Sequence, residues 1–137
     1  MNIRIALAAL LVFAPVLAWG QSVFDGSWMV LKDDKTLDLN SVVTFKVSRE
    51  VAELSTLSGI TYKAKLNGAD AKVEGDPQTT TVSVTRPSKN VLLEISKRDG
   101  KAWLSMRMAV EPDGKTAKVT WKNLNTDKGG SYDLAKQ

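Results

Sequence analysis

Between residues 58 and 135 the chain alternates apolar and polar side chains in short runs, and nearly every run ends at a turn signal. Successive side chains of a β-strand point to opposite faces, so an alternating run predicts a strand with one buried face. Glycine and asparagine accept positive φ and proline lacks an N–H, so these residues are typical of hairpin turns. The turn signals are Asn67-Gly68, Asp76-Pro77, Asp99-Gly100, Pro112-Asp113-Gly114 and Gly129-Gly130. The pattern predicts an antiparallel up-and-down meander.

The predicted strands have a period of two residues, which also predicts their buried face. The apolar phase consists of Ile60, Tyr62, Ala64, Leu66, Ala71, Val73, Val82, Val84, Val91, Leu93, Ile95, Ala102, Leu104, Met106, Met108, Val110, Ala117, Val119, Trp121, Tyr132 and Leu134. Glu94 falls on the outward phase. Residues 41–45 predict a further strand, whereas residues 50–57 fit either a strand or one helical turn. Segment 23–54 therefore either closes a barrel of about eight to ten strands or leaves an open edge.

The first twenty residues have the composition of a secretory signal peptide. Arg4 precedes an apolar stretch at residues 5–17, and Ala18-Trp19-Gly20 offers small residues for cleavage before Gln21. The apolar stretch is shorter than the roughly 20 residues that a membrane-spanning helix needs. We therefore predict a removed signal peptide at 1–20, a single domain at 21–137, a periplasmic or secreted location and no integral membrane span.

The chain contains no cysteine and no histidine. A Ser-His-Asp triad, a thiol nucleophile and the common zinc sites all need one of these residues. The remaining route to hydrolysis is a pair of carboxylates facing each other across a cleft. The available acids, Asp33, Asp34, Glu50, Glu53, Glu74 and Glu94, are interpreted as solvated surface charge. The sequence predicts no catalytic residue, no metal site, no cofactor and no enzymatic activity.

The charge balance is modestly basic, with 19 lysines and arginines against 15 acids. Lys63, Lys65, Lys118 and Lys122 lie on outward phases, where lysines keep sheet edges unpaired and soluble. Binding of single-stranded nucleic acid would require aromatic side chains among these charges, and the outward faces offer only Trp103. We predict a monomer that does not bind nucleic acid.

One family resemblance comes from three short motifs. Residues 24–28 read Phe-Asp-Gly-Ser-Trp, and their Gly-x-Trp pattern resembles the first strand of lipocalins. A tyrosine strand with an Asn-Gly turn at 62–68 and an Asp-Gly-Lys-Thr hairpin at 113–116 are similar to small exported bacterial proteins of lipocalin-like, calycin-type design. The resemblance implies a ligand-binding barrel in which Trp28 packs across the closed end beneath a basic residue of the last strand. That strand offers Lys136 in place of the usual arginine.

Gly26 and Trp28 have structural roles in this interpretation. A glycine permits close approach of backbone and ring, and a large indole at the start of a strand can plug one end of a core.

Two hypotheses for function follow from the strand phases. In the first, Tyr62, Met106, Met108 and Trp121 line a pocket that binds a small apolar or amphipathic molecule without covalent chemistry. The alternative for these residues is a filled core against Val82, Val84, Leu93 and Ile95.

The second hypothesis is a solid barrel that binds or inhibits another exported protein through an outer surface near Trp103 and Arg107. Trp103 is out of phase with Leu104 and is expected to face outward. There it is either covered by the segment 31–39 or exposed as an anchor.

Overall fold

The computed structural model describes residues 22–137, so the predicted signal peptide lies outside the described range. Ten strands and no helix occur in this range. The strands are β1 (Gly26–Leu31), β2 (Leu37–Val47), β3 (Val51–Thr56), β4 (Thr61–Lys65), β5 (Ala71–Glu74), β6 (Thr81–Ser88), β7 (Val91–Arg98), β8 (Lys101–Val110), β9 (Thr116–Asn123) and β10 (Gly129–Lys136). The predicted all-β meander is confirmed.

The ten strands form a closed barrel in which each strand pairs with its neighbour in the chain and β1 pairs with β10. All pairings are antiparallel, and Trp28 of β1 lies opposite both Lys136 of β10 and Val43 of β2. Segment 23–54 therefore completes the barrel, and residues 51–56 form a strand rather than a helical turn. Closure leaves no unpaired edge between these strands.

The two ends of the barrel differ in the connections that they carry. The connections β2–β3, β4–β5, β6–β7 and β8–β9, together with residues 22–25, lie at one end, which we call the closed end. The connections at 32–36, 57–60, 75–80, 99–100 and 124–128 lie at the opposite end, which we call the mouth.

Trp28 plugs the closed end. Its side chain is fully buried, and its indole N–H donates to the carbonyl of Phe24 at 2.8 Å. The ammonium of Lys136 lies 5.0 Å from the centre of the indole ring, which is within the range of a cation–π interaction. Gly26, with φ +121°, lies against the Lys136 side chain in a backbone conformation that other residues rarely adopt. Glycine thus allows β1 to start where the ring and the lysine meet.

One side of the barrel wall contains a short strand with few registered pairs. Strand β5 pairs with β4 through Thr61–Glu74 and Tyr62–Val73, and with β6 through only two further pairs. Before the start of β5, the β4–β5 connection pairs directly with β6, where the Gly68 amide donates to the Val84 carbonyl at 3.1 Å. We call β5, together with its pairings with β4 and β6, the short-strand seam.

The buried phase of β7 is opposite to the predicted one. Val82 and Val84 of β6 face the core as predicted, and their partners in the register are Ser96 and Glu94. Directly opposed residues share a face, so Glu94 faces the interior. Leu93 is instead 36% exposed on the outer face, and the expectation that Leu93 and Ile95 pack in the core is wrong.

Candidate binding cavity

A cavity of about 390 Å³ lies inside the barrel between the closed-end core and the mouth. Its walls come from nearly all the strands and are mainly apolar: Val30, Val43, Phe45, Leu54, Ile60, Val84, Leu92, Leu104, Met106, Met108, Val119 and Leu134. Cavities of a few hundred cubic ångströms with apolar walls and a few polar groups are typical of small-molecule sites. Between the closed-end core and the mouth, the barrel is therefore hollow.

Glu94 and Tyr62 form a polar pair in the cavity wall. The Tyr62 hydroxyl donates to Glu94 Oε2 at 2.7 Å across 32 residues of sequence. Burial raises the pKa of Glu94; the hydrogen bond from Tyr62 opposes that rise and the charge of Asp76 adds to it. Burial, followed by the charge of Glu94, holds the pKa of Tyr62 well above its usual value, so the phenol stays protonated as a donor.

The other charged residue of the cavity wall is Asp76, at the mouth. It belongs to the β5–β6 connection, where its carboxylate accepts the Gln78 amide at 2.8 Å. The lining residues within 22–137 include no lysine or arginine. Tyr132 also faces this region, and burial together with the charge of Glu94 raises its pKa. The cavity is thus acidic although the chain is basic.

The β5–β6 connection is held in place over the mouth from two sides. Arg98 of β7 donates from Nε to the Gln78 carbonyl at 2.8 Å, and the Thr80 amide donates to the Lys97 carbonyl at 2.8 Å. On the other side, Gly75 packs so tightly that a Cβ there would overlap the Gly59 carbonyl oxygen. Asp76 therefore has a fixed position at the cavity entrance.

Trp103 lies at the mouth, and the prediction that it faces outward is wrong. Ser96 pairs with Leu104 and Lys97 with Ala102, so β8 bulges at Trp103 and the alternation is broken there. The indole N–H donates to Thr79 Oγ1 at 3.2 Å, and the Arg98 guanidinium lies 5.7 Å from the ring centre. Trp103 is half-buried and lines the cavity, where Thr79 and Arg98 contact its ring.

Three of the four predicted pocket residues, Tyr62, Met106 and Met108, line the cavity, whereas Trp121 does not. Trp121 lies opposite Gly130 in the register, and its indole lies across that glycine, 3.2 Å from where a Cβ would be. The missing side chain of Gly130 thus provides the space that Trp121 occupies.

The alternative partner surface is not a single surface in the structure. Arg107 is exposed on the outer face, where it lies opposite Leu93 and Thr120 in the register. Trp103 lies at the mouth, between β8 and the β5–β6 connection. The two residues are therefore not brought together.

Sequence reasoning missed Glu94 and Asp76 as cavity residues. Leu92 and Leu93 are both apolar, so either phase of β7 gives a hydrophobic face, and only the pairing with β6 selects the one that contains Glu94. For Asp76, the sequence predicts only a place in a turn. The adjacent Leu92-Leu93 pair is the sequence signal that the buried face of β7 is uncertain, because it makes the alternation of that strand ambiguous.

Comparisons of this chain with protein-family models, with curated proteins and with solved structures gave no match. Among residues 22–137, no helix is long and apolar enough to cross a bilayer. The same residues contain no cluster of three or more acidic, histidine or cysteine side chains arranged to hold a metal ion.

Proposed function

We propose that this chain is an exported, non-enzymatic barrel of lipocalin-like design that binds a small apolar or amphipathic molecule in its cavity. The observation that carries the proposal is the apolar cavity of about 390 Å³, closed below by the Trp28 core and bordered by the mouth connections. A barrel of about eight strands is just wide enough for side chains to fill or for one small molecule, and the ten strands here enclose a wider interior.

The lipocalin-like design is supported by topology and by one local arrangement. The closed up-and-down meander agrees with it. So does Trp28 at the closed end, with Lys136 of the last strand over its ring. Export to the periplasm or beyond is supported by the composition of residues 1–20.

The wall chemistry favours an amphipathic occupant bound without covalent chemistry. Met106 and Met108 have flexible, polarisable side chains that adapt to varied apolar shapes. Tyr62 and Glu94 place a polar group on an otherwise apolar surface. A ligand with one polar group would be oriented by this pair, while its apolar part contacts the methionines.

The proposal can be tested by filling the cavity. Met106→Trp adds a large side chain at the wall, whereas Arg107→Trp adds the same side chain to the neighbouring position on the outer face. We expect the neutral fluorophore Nile red to bind the mature protein and Arg107→Trp equally, and Met106→Trp at least about tenfold more weakly, a difference of roughly 1.4 kcal/mol.

The proposal would be contradicted if Nile red failed to bind the mature protein, or if Arg107→Trp weakened binding and Met106→Trp did not.

Native mass spectrometry of protein purified gently from its exported fraction provides a second measurement. We expect a discrete added mass that solvent extraction removes.

A second candidate function rests on a shallow outer groove of about 240 Å³. Leu93, Ile95 and Arg107 line it on the outer face of β7 and β8, and Leu93 is 36% exposed. Such an apolar surface beside a cation is suited to contact with another exported protein. Under this function, Arg107→Ala would abolish binding of the partner protein and Met106→Trp would not.

A further inference from the structure

The charge of the cavity is opposite to the charge of the chain. The chain has a formal net charge of +4, yet the charged side chains of the cavity wall are Glu94 and Asp76. The nearby cations are engaged elsewhere: Arg98 stacks on Trp103 and donates to Gln78, and Lys97 pairs with Asp70 at 2.6 Å. The cavity therefore combines apolar walls with negative charge that lacks a cationic partner among the described residues.

Glu94 has unused hydrogen-bonding capacity. A carboxylate has about four acceptor sites. Among residues 22–137, the Tyr62 hydroxyl is the only group that donates to Glu94, and it donates to Oε2. A carboxylate with one neutral donor in an apolar wall is poorly compensated, because a buried charge needs an opposite charge or several hydrogen bonds. A cation in the cavity would supply both.

The aromatic residues of the cavity wall suit the same kind of ligand. Tyr62, Tyr132, Phe45 and Trp103 all border the cavity. Ring faces attract ammonium groups, most strongly where water is excluded. Asp76 adds a negative charge at the entrance, which favours the arrival of a cation over that of an anion.

We infer that the cavity takes an amphipathic organic cation, a protonated amine or quaternary ammonium group on an apolar body, with Glu94 as its counter-ion. This inference rests on the proposed function and specifies the class of ligand. An anionic amphiphile such as a fatty acid is disfavoured, because its carboxylate would face Glu94 or Asp76 without a cation to neutralise it.

A matched series of probes tests the inference on the unmodified mature protein. Decylamine, decanol and decanoate share one apolar body and carry a positive, zero or negative charge at pH 7.5. Their affinities would be measured by displacement of Nile red, below the concentrations at which they form micelles. We expect decylamine to bind at least about tenfold more tightly than decanoate, with decanol between them.

Two substitutions assign the preference to Glu94. Glu94→Gln removes the charge in the cavity, whereas Glu74→Gln removes one charge from an exposed position on β5. We expect Glu94→Gln to lower the affinity for decylamine at least about tenfold. The affinity for decanol should stay within about twofold of that of the mature protein. Glu74→Gln should leave the whole series unchanged.

Equal affinities across the series in the mature protein would overturn the inference, as would a preference for decanoate. So would an amine preference that persists in Glu94→Gln. If decanol binds and Met106→Trp blocks it while the amine preference is absent, the proposed function stands and the cationic ligand class fails. If Nile red binds the mature protein but decylamine does not displace it, the cationic ligand class fails and the proposed function stands. If Nile red itself does not bind the mature protein, both fail. The series on the mature protein decides the ligand class even if Glu94→Gln does not fold.

Discussion

Trp28 and Trp103 lie at opposite ends of the barrel and make the same two kinds of contact. Each indole donates its N–H, to the Phe24 carbonyl or to Thr79 Oγ1, and each ring lies near a cation, Lys136 or Arg98. They differ in burial, because Trp28 is fully buried and Trp103 is half-buried at the cavity. The same side chain therefore serves as a core plug at the closed end and as part of an entrance at the mouth.

The difference between the ends extends to their surroundings. At the closed end the Arg86 guanidinium lies 5.2 Å from the Phe24 ring centre, so the buried aromatic pair has cations on its outer side. At the mouth, Asp76 borders the cavity and Glu94 lies deeper in its wall. We expect substitutions at the closed end to change mainly stability and those at the mouth to change mainly access and binding.

The largest expected effect comes from deleting the two indoles. Trp28→Ala should reduce the free energy of unfolding by about 3–5 kcal/mol, because truncating a fully buried indole leaves a large cavity in the core. Trp103→Ala should cost about 1–2 kcal/mol, since a half-buried ring loses less apolar burial. Urea denaturation followed by circular dichroism measures both. Equal losses would show that the two ends do not differ in this way.

A smaller effect is expected from an added methyl group at the mouth. Gly75 and Gly100 have similar φ values of +79° and +83°, but only Gly75 contacts another connection. Gly100→Ala should cost about 1 kcal/mol through backbone strain alone. Gly75→Ala should cost more than about 2 kcal/mol, because its methyl group overlaps the Gly59 carbonyl.

Urea denaturation of both variants gives this comparison. Similar costs would indicate that the connections at 57–60 and 75–80 separate readily to make room for the methyl group.

The smallest expected effect is a pH dependence that belongs to the mouth side of the cavity. Burial raises the folded-state pKa of Glu94 above the ordinary value of 4.5, which applies to the unfolded chain. Between the unfolded-state pKa and the folded-state pKa, the folded chain therefore binds a proton that the unfolded chain has lost. Stability should therefore fall as the pH rises through that interval. Tyr62 and Tyr132, which also face Glu94, keep their protons there, and Asp76 is the remaining acid near it.

Glu94→Gln removes this contribution. The free energy of unfolding of the variant, measured relative to the unsubstituted protein between pH 4 and pH 8, should increase with pH. The exposed carboxylates Asp34 and Asp113, whose pKa values are lowered, act alike in both proteins and cancel in the difference. A difference that does not change with pH would contradict the assignment.

The strand order was predictable because each step depends on neighbouring residues. In β9, Ala117 and Val119 alternate with lysine and threonine, so only one face can be buried. The Pro112-Asp113-Gly114 turn is equally local, since the Asp113 carboxylate accepts the Lys115 amide at 2.8 Å.

The cavity could not be predicted in the same way, because it depends on pairing between strands. The phase of β7 is selected by its register with β6, the bulge at Trp103 by its register with β7, and the position of Trp121 by Gly130 across the ladder. None of these is encoded in the spacing within one strand. Whether a barrel interior is hollow depends on the sum of side-chain volumes from all the strands.

The short-strand seam makes the barrel wall unequal around its circumference. Strand β5 has two registered pairs with each neighbour, whereas β7 and β8 share eight. Segments with few ladder hydrogen bonds open at a lower free energy than the global transition. Backbone amides of β5 should therefore exchange with deuterium well before those of β8. We therefore expect thermal opening of the barrel to begin in this side wall, while both ends of the barrel are still intact.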